Sequence, residues 1–207
     1  GGPGTGKTTT VAKLAALLAA EARAESRPLA IRLAAPTGKA AARVGEALAR
    51  ELGALECDGL LDAAMRAQLP DAAQTLHRLL GARPRGFRHD ASNPIAADVV
   101  VLDECSMVDL RLLDALLAAL PADARLLLLG DRDQLAAVEA GNVFGALCAR
   151  AAPPGAARAA ELAALTGLPL TGADHEDPVT DAIAVLRHSY RFDAASGIGR
   201  LAAAVNA

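Results

Sequence analysis

Residues 1–8 read Gly-Gly-Pro-Gly-Thr-Gly-Lys-Thr, the spacing G-x-x-x-x-G-K-[ST]. Glycines let a backbone curl with its N–H groups pointing inward, a geometry that wraps a phosphate chain. Residues 6–23, rich in Ala and Leu, predict a helix opening directly from this turn, with the positive end of its dipole at the same point. Lys7 would reach the β- and γ-phosphates and the Thr8 hydroxyl would hold Mg²⁺, with Gly2, Gly4, Thr5, Gly6 and Thr9 completing the nucleotide-binding set. ATP and Mg²⁺ are the cofactors this implies. A glycine-rich turn before an ordinary helix is the competing reading, and the downstream pattern decides against it. A strand should precede such a loop, and here it would lie upstream of Gly1.

Outward from the loop, apolar runs alternate with helical segments. Strands are expected over 29–34, 98–103 and 125–130, the last two meeting acidic residues at their ends. Helices are expected over 38–52 and over 109–120, the second stopped by Pro121. Residues 59–80 read as two short helices broken at Pro70, with Asp71 as N-cap. Residues 81–94 read as loop, 182–186 as a further strand, and 201–207 as an apolar helix without a stop signal. This alternation predicts an α/β fold, a parallel sheet with helices on both faces. The absent first strand is expected to leave a gap in the middle of that sheet. The pattern divides into a core over 1–150, an Ala/Pro/Gly-rich insertion over 151–181 and a return to the core over 182–207. Gly1 already belongs to a motif, so the chain reads as part of a longer protein.

Composition narrows the function classes. With 53% hydrophobic and 22% charged residues in 207, the chain should fold rather than stay disordered. No apolar run reaches the ~18 residues of a membrane span. Cys57, Cys105 and Cys148 form no close pair, and the four histidines show no metal spacing. That argues against a disulfide scaffold and a zinc site, and suits a reducing cytoplasm. A net charge of −3 excludes a broadly basic nucleic-acid coat, so any such contact must come from a local patch. There are three lysines against eighteen arginines. Lysine is so rare that its use at Lys7 and Lys39, both in glycine-containing turns, is informative.

The 98–103 run ends in Asp103 and Glu104. In an open parallel sheet that edge is where ligands bind. Asp103 would hold Mg²⁺ directly or through water and Glu104 would polarise the attacking water; a simple cap on the following helix is the alternative for Asp103. Gln134, just past the next strand, would sense the γ-phosphate or position water. Arg191 would stabilise charge developing on the transferred phosphoryl group, or be a surface arginine. Pro36, Thr37 and Lys39 open a helix after a strand, a place that suits a phosphodiester, another anion or a cap alike. Thr75 and His77 precede the strongly basic stretch holding Arg83, Arg85 and Arg88, where Phe87 could stack on a base. A solvated loop is the other reading of that stretch.

Six segments in order carry a resemblance: GGPGTGKTTT (1–10), APTGKAAAR (35–43), TLHRLLG (75–81), VVVLDECSMVDL (99–110), LLGDRDQLAAVEAG (128–141), and SYRF followed by SGIGRLAAAVN (189–206). Together they resemble superfamily-1 DNA helicases of the RecD type. The resemblance implies a P-loop NTPase fold with a RecA-like sheet, lacking its first strand, that hydrolyses ATP and moves 5′ to 3′ on single-stranded DNA. It implies partnership with RecB-like and RecC-like subunits at DNA ends in recombinational repair. By motif position it assigns the ATPase roles to Lys7, Thr8, Asp103 and Glu104, γ-phosphate contacts to Gln134 and Arg191, and DNA contacts to Pro36, Thr37, Lys39, Thr75 and His77. Cys105 stands where a small residue such as Ala is usual; a buried thiol there would pack as a small apolar group. The adenine-contacting motif and second motor domain of the family are expected to lie outside this stretch of sequence. A standalone helicase, a conjugative-relaxase helicase and a non-hydrolysing structural subunit are the alternatives, and an RNA substrate stays open.

Overall fold

The computed structural model describes residues 4–131, Gln134, 143–186, His188 and Tyr190. Four parallel strands form one sheet in the order β2-β1-β3-β4. They are β1 (Ile31–Ala35), β2 (Gln74–Thr75), β3 (Val99–Leu102) and β4 (Arg125–Leu128). The Val-Val-Val-Leu run of β3 is buried at every position because helices cover both faces of the sheet. Side-chain alternation sorts those faces. Ile31, Leu33, Val99 and Val101 pack with α1 (Lys7–Ala24), α2 (Gly38–Cys57) and α3 (Ala63–Arg66). Ala34, Val100 and Leu102 pack with α4 (Leu76–Leu80), α5 (Leu110–Ala119) and α6 (Val143–Cys148). The alanines of α1 have a structural use: Ala12, Ala15, Ala16, Ala19 and Ala22 are all buried and give the helix a thin face that lies close to the sheet and α2.

Each helix ends where its chemistry dictates. α2 runs past the expected Leu52 because Leu48, Leu52 and Leu55 continue one buried stripe, and it stops before Gly59 in a left-handed turn. Asp71 is not an N-cap. It is exposed and accepts a hydrogen bond from Arg66 at 2.7 Å. Asp62 caps α3 through Met65 N–H, and Thr75 caps α4 through Arg78 N–H. The reason is the sheet: Gln74 and Thr75 pair with Ala34 and Ala35, so the chain is extended until Thr75 and turns helical only after it.

Two expectations about the sheet are corrected. No gap opens in its middle; each strand is hydrogen-bonded to its neighbour, so a further strand can join only at an edge. Residues 182–186 form no strand: their apolar pattern suits one, but among the described residues they have no ladder partner. Residues 81–94 are also more ordered than a plain loop, with a bridge between Ala82 and Phe87 and an Asp90 side-chain turn holding Ser92 and Asn93.

Beyond α6, α7 (Ala156–Thr166) and α8 (Pro178–Asp181) are tied by polar contacts. Arg150 pairs with Asp177 at 2.5 Å, Thr180 donates to Asp177 at 2.6 Å, and Asp181 accepts the N–H of Gly155 at 2.8 Å. The bonds from Thr180, Arg150 and the Val179 N–H hold the Asp177 carboxyl down at about 2, the Thr180 hydroxyl contributing most. No helix among the described residues is long and apolar enough to cross a membrane.

Candidate active site

The strand register builds the site. Ala34 pairs with Leu102, Leu102 with Leu128, and Ala35 with Thr75. All four C-terminal tips therefore lie along one edge. β1 sends α2 to one face, and β3 sends α5 to the other. A crevice opens where successive helices diverge in this way.

α1 starts at this edge. Gly4 and Gly6 both have left-handed backbones, φ 75° and 82°, which any other residue would adopt at a cost. Gly6, the N-cap of α1, has no side chain with which to cap its first turn. An 18-residue helix thus starts at this edge, with the positive end of its dipole there. Thr5 is buried beneath the turn, and Lys7, Thr8 and Thr9 are half-buried on it. Thr8 and Asp103 line one small cleft with Val11, Leu33, Val44, Leu48, Val101 and Leu129. Gly2 lies outside the described residues.

Asp103 is set by the sheet: its N–H donates to Ala34 O at 2.9 Å, and its Oδ1 accepts Glu104 N–H at 2.7 Å. It does not cap the following helix; Asp109 does, through Leu112 N–H at 2.8 Å. Glu104 has a left-handed backbone, φ 53°, unusual for a residue with a side chain. What holds it there is the next residue, whose N–H reaches across to Leu129 O at 2.8 Å. Burial pushes the Glu104 carboxyl above its ordinary range, and Asp103 and then Asp131 add to that; Lys7 and Arg43 pull it back. A helix start beside an excess of carboxylate would suit a Mg²⁺ shared with a phosphate chain, and Thr8 and Asp103, on one cleft, are the oxygen donors that would hold it. No group of three or more ligating side chains exists among the described residues, and Mg²⁺ held largely by phosphates and water needs none.

Cys105 is buried in the second core, its thiol pushed up to about 12 by burial first, then by Cys148 and Asp103. It is a small packing residue there, as expected. Gln134 is exposed one turn past β4, its N–H donating to Asp131 O at 3.3 Å. Arg191 lies outside the described residues. Two site residues escape a reading of the sequence. Asp131, 5% exposed, sits at the β4 tip within the field of Glu104; an acid closing an apolar run, as at Asp103, is the available signal. Tyr190, 79% exposed, donates its N–H to Gly4 O at 2.9 Å and lays its ring beside Gly6. Nothing in the sequence spacing places it there.

The DNA candidates adjoin the same edge. Thr37 and Thr75 both serve as caps, their hydroxyl oxygens accepting Ala40 N–H and Arg78 N–H at 3.2 Å. Each keeps an O–H free to donate outward. Pro36 is half-buried, and Lys39 and His77 are exposed. Because Ala35 pairs with Thr75, the sheet brings these two segments together. Phe87 is half-buried against the second core, its ring 6.1 Å from the His77 ring and tilted to it. Arg83, Arg85 and Arg88 are exposed.

Residues 1–140 match a family model described as an AAA domain. The chain belongs to this AAA-domain family. Within it, the chain is similar to the RecBCD enzyme subunit RecD of Haemophilus influenzae, 43% identical over 97% of this chain and 31% of that protein. It is 56% identical to the RecD subunit of Mycobacterium tuberculosis, over 71% of this chain and 25% of that protein. An ATP-dependent RecD2 DNA helicase of Deinococcus radiodurans is 45% identical over 74% of this chain and 18% of that protein. The AAA-domain chain therefore spans only a third or less of these relatives. Its fold is the α/β P-loop type with a RecA-like parallel sheet.

Proposed function

We propose that this AAA domain is the first motor domain of an ATP-dependent DNA helicase of the RecD type, acting 5′ to 3′ on single-stranded DNA. One observation carries the reading: Thr8 and Asp103 share a cleft between the start of α1 and the tip of β3, with Glu104 beside them. Lys7 and the first-turn N–H groups would hold the phosphates of ATP. Mg²⁺, held by Thr8 and Asp103, would supply charge neutralisation of the phosphoryl group. Glu104 would orient the attacking water and take its proton, while Gln134 and Arg191 would contact the γ-phosphate. The exposed Tyr190 ring beside Gly6 offers an apolar face to the base or ribose.

The DNA strand would run over Pro36, Thr37, Lys39, Thr75 and His77, with Arg83, Arg85 and Arg88 adding charge. Similarity to RecD subunits supports a complex with RecB-like and RecC-like subunits, an exodeoxyribonuclease V that processes DNA ends in the cytoplasm for recombinational repair. Residues 151–181 would be an insertion in the motor core, and 182–207 its continuation. Similarity to the Deinococcus helicase supports a second reading, a RecD-like helicase working alone. The test is ATP hydrolysis by the full-length protein with and without single-stranded DNA, beside Lys7→Ala. DNA-stimulated turnover that vanishes in the variant is expected. Turnover unaffected by Lys7→Ala would remove this site from the chemistry.

A further inference from the structure

We propose that His188 is a positioning residue for the nucleotide site: it holds the Tyr190 ring beside the phosphate loop, where that ring meets the base or ribose. The inference rests on the reading of Tyr190 given above.

Three contacts set Tyr190 in place. Its N–H donates to Gly4 O at 2.9 Å, which ties its backbone to the phosphate loop. Its ring lies beside Gly6: a Cβ built on that glycine would stand 3.9 Å from Tyr190 Cε2 and 4.0 Å from Cδ2. Gly6 is the N-cap of α1, the place where phosphate would be held. The third contact is with His188. The two ring centroids are 4.5 Å apart at an interplanar angle of 79°. This is the T-shaped arrangement that aromatic rings favour.

The main-chain bond fixes where Tyr190 starts but not how its ring is turned, since the side chain can still choose among staggered wells. The residue is 79% exposed, so core packing does little to select one. Among the described residues, no hydrogen bond from the hydroxyl selects one either. The His188 ring does: it meets the tyrosine ring in the same setting that lays that ring beside Gly6. A nucleotide whose phosphates lie on the loop finds an aromatic face only in this setting. Any time the ring spends elsewhere lowers the apparent affinity by the same fraction. A bare phosphate chain needs no aromatic face. His188 should therefore matter to the base-bearing end of the nucleotide and not to its phosphates.

The test uses the full-length protein with whatever subunits co-purify, and counts only the binding that Lys7→Ala removes. Two probes are titrated with Mg²⁺ present: AMP-PNP, a non-hydrolysable analogue of ATP, and inorganic tripolyphosphate. His188→Ala is expected to raise the Kd for AMP-PNP by about 3–10-fold, the range that one T-shaped ring pair supports. The Kd for tripolyphosphate, and kcat at saturating ATP, should stay within about twofold. His188→Phe should recover the affinity because it keeps a ring; His188→Gln should not, because it keeps only the polarity. In a Tyr190→Ala background, His188→Ala should cost nothing further, since it acts through the missing ring. An unchanged Kd for AMP-PNP in His188→Ala would overturn the proposal. So would full affinity in His188→Gln, additive losses in the double variant, or an equal loss for tripolyphosphate, which would make the imidazole a phosphate contact. Undiminished AMP-PNP binding in Tyr190→Ala alone would instead overturn the underlying reading of Tyr190, and it is seen before any His188 variant is compared.

Discussion

Gly130→Ala tests how tightly the β4 tip is packed behind the candidate active site. A Cβ at this position would meet Phe144 Cε1 at 2.7 Å, Cζ at 3.0 Å and Cδ1 at 3.2 Å. Gly130 is not in the left-handed region, so alanine meets no backbone penalty there; the contact alone decides. The ring is 8% exposed in the second core and cannot swing aside as a surface side chain would. Overpacking of this kind costs about 1–3 kcal/mol. The loss of glycine entropy from the unfolded chain returns about 0.4–1 kcal/mol. The net expectation is about 1–2 kcal/mol, a factor of roughly 5–30 in local opening. Hydrogen exchange over β4 and α6 in the full-length protein reads it directly, as faster exchange in those peptides. Phe144→Leu, which shortens the ring, should relieve most of the effect when combined with Gly130→Ala. Gly53→Ala is the control: it lies inside α2 with nothing within 4 Å of an added methyl, and should stabilise by about 0.5–1 kcal/mol. Unchanged exchange over α6 in Gly130→Ala, or an equal loss in Gly53→Ala, would refute the packing argument.

Glu104→Gln should leave ATP binding intact and slow hydrolysis by ~10²-fold or more in single-turnover assays; near-normal turnover would take Glu104 out of the chemistry. Thr37→Ala should lose both the α2 cap, worth about 1 kcal/mol, and single-strand affinity, whereas Thr37→Asp should keep the cap and lose affinity by repelling phosphate; circular dichroism and fluorescence anisotropy separate the two. Asp177→Asn should speed hydrogen exchange around Val179 and Thr180 at neutral pH. In the parent protein the Asp177 carboxyl sits at about 2, below its unfolded value, so its contribution is present above the ordinary carboxylate range and fades as pH falls toward about 2; exchange that is as slow in Asp177→Asn as in the parent would count against the knot.

The parts of the fold that read clearly from sequence are those where local chemistry and burial agree. The Val99–Leu102 run is apolar at every position because both faces are covered, and periodicity alone finds it. The glycine loop reads clearly because only glycine tolerates the backbone of Gly4 and Gly6. What stays hidden depends on partners distant in the chain. Gln74 and Thr75 are strand only because the edge of β1 is beside them, and no two-residue pattern announces that. Residues 182–186 show the converse, an apolar pattern fit for a strand that finds no ladder among the described residues. Tyr190 reaches the phosphate loop through a main-chain bond to Gly4, a contact without any side-chain signature. Phe87 reads as a stacking platform because its neighbours are basic, and its contact with the second core leaves no trace in that local pattern.

The same sheet edge explains why a nucleotide site and a strand-binding site would sit side by side. A parallel sheet puts all its C-terminal tips together, so residues that follow β1, β2, β3 and β4 become neighbours whatever their distance in sequence. Thr37 follows β1 and Thr75 ends the adjacent β2, while Asp103 and Asp131 follow the adjacent β3 and β4. The DNA candidates thus fall on the β2–β1 side of the edge and the carboxylates on the β3–β4 side. The boundary between the two groups lies between β1 and β3, where Asp103 N–H bonds to Ala34 O. α2 starts on the DNA side of that boundary, yet Val44 on its second turn lines the cleft on the other. It is the element that spans both groups of residues, and a movement of its first turn cannot leave the cleft untouched.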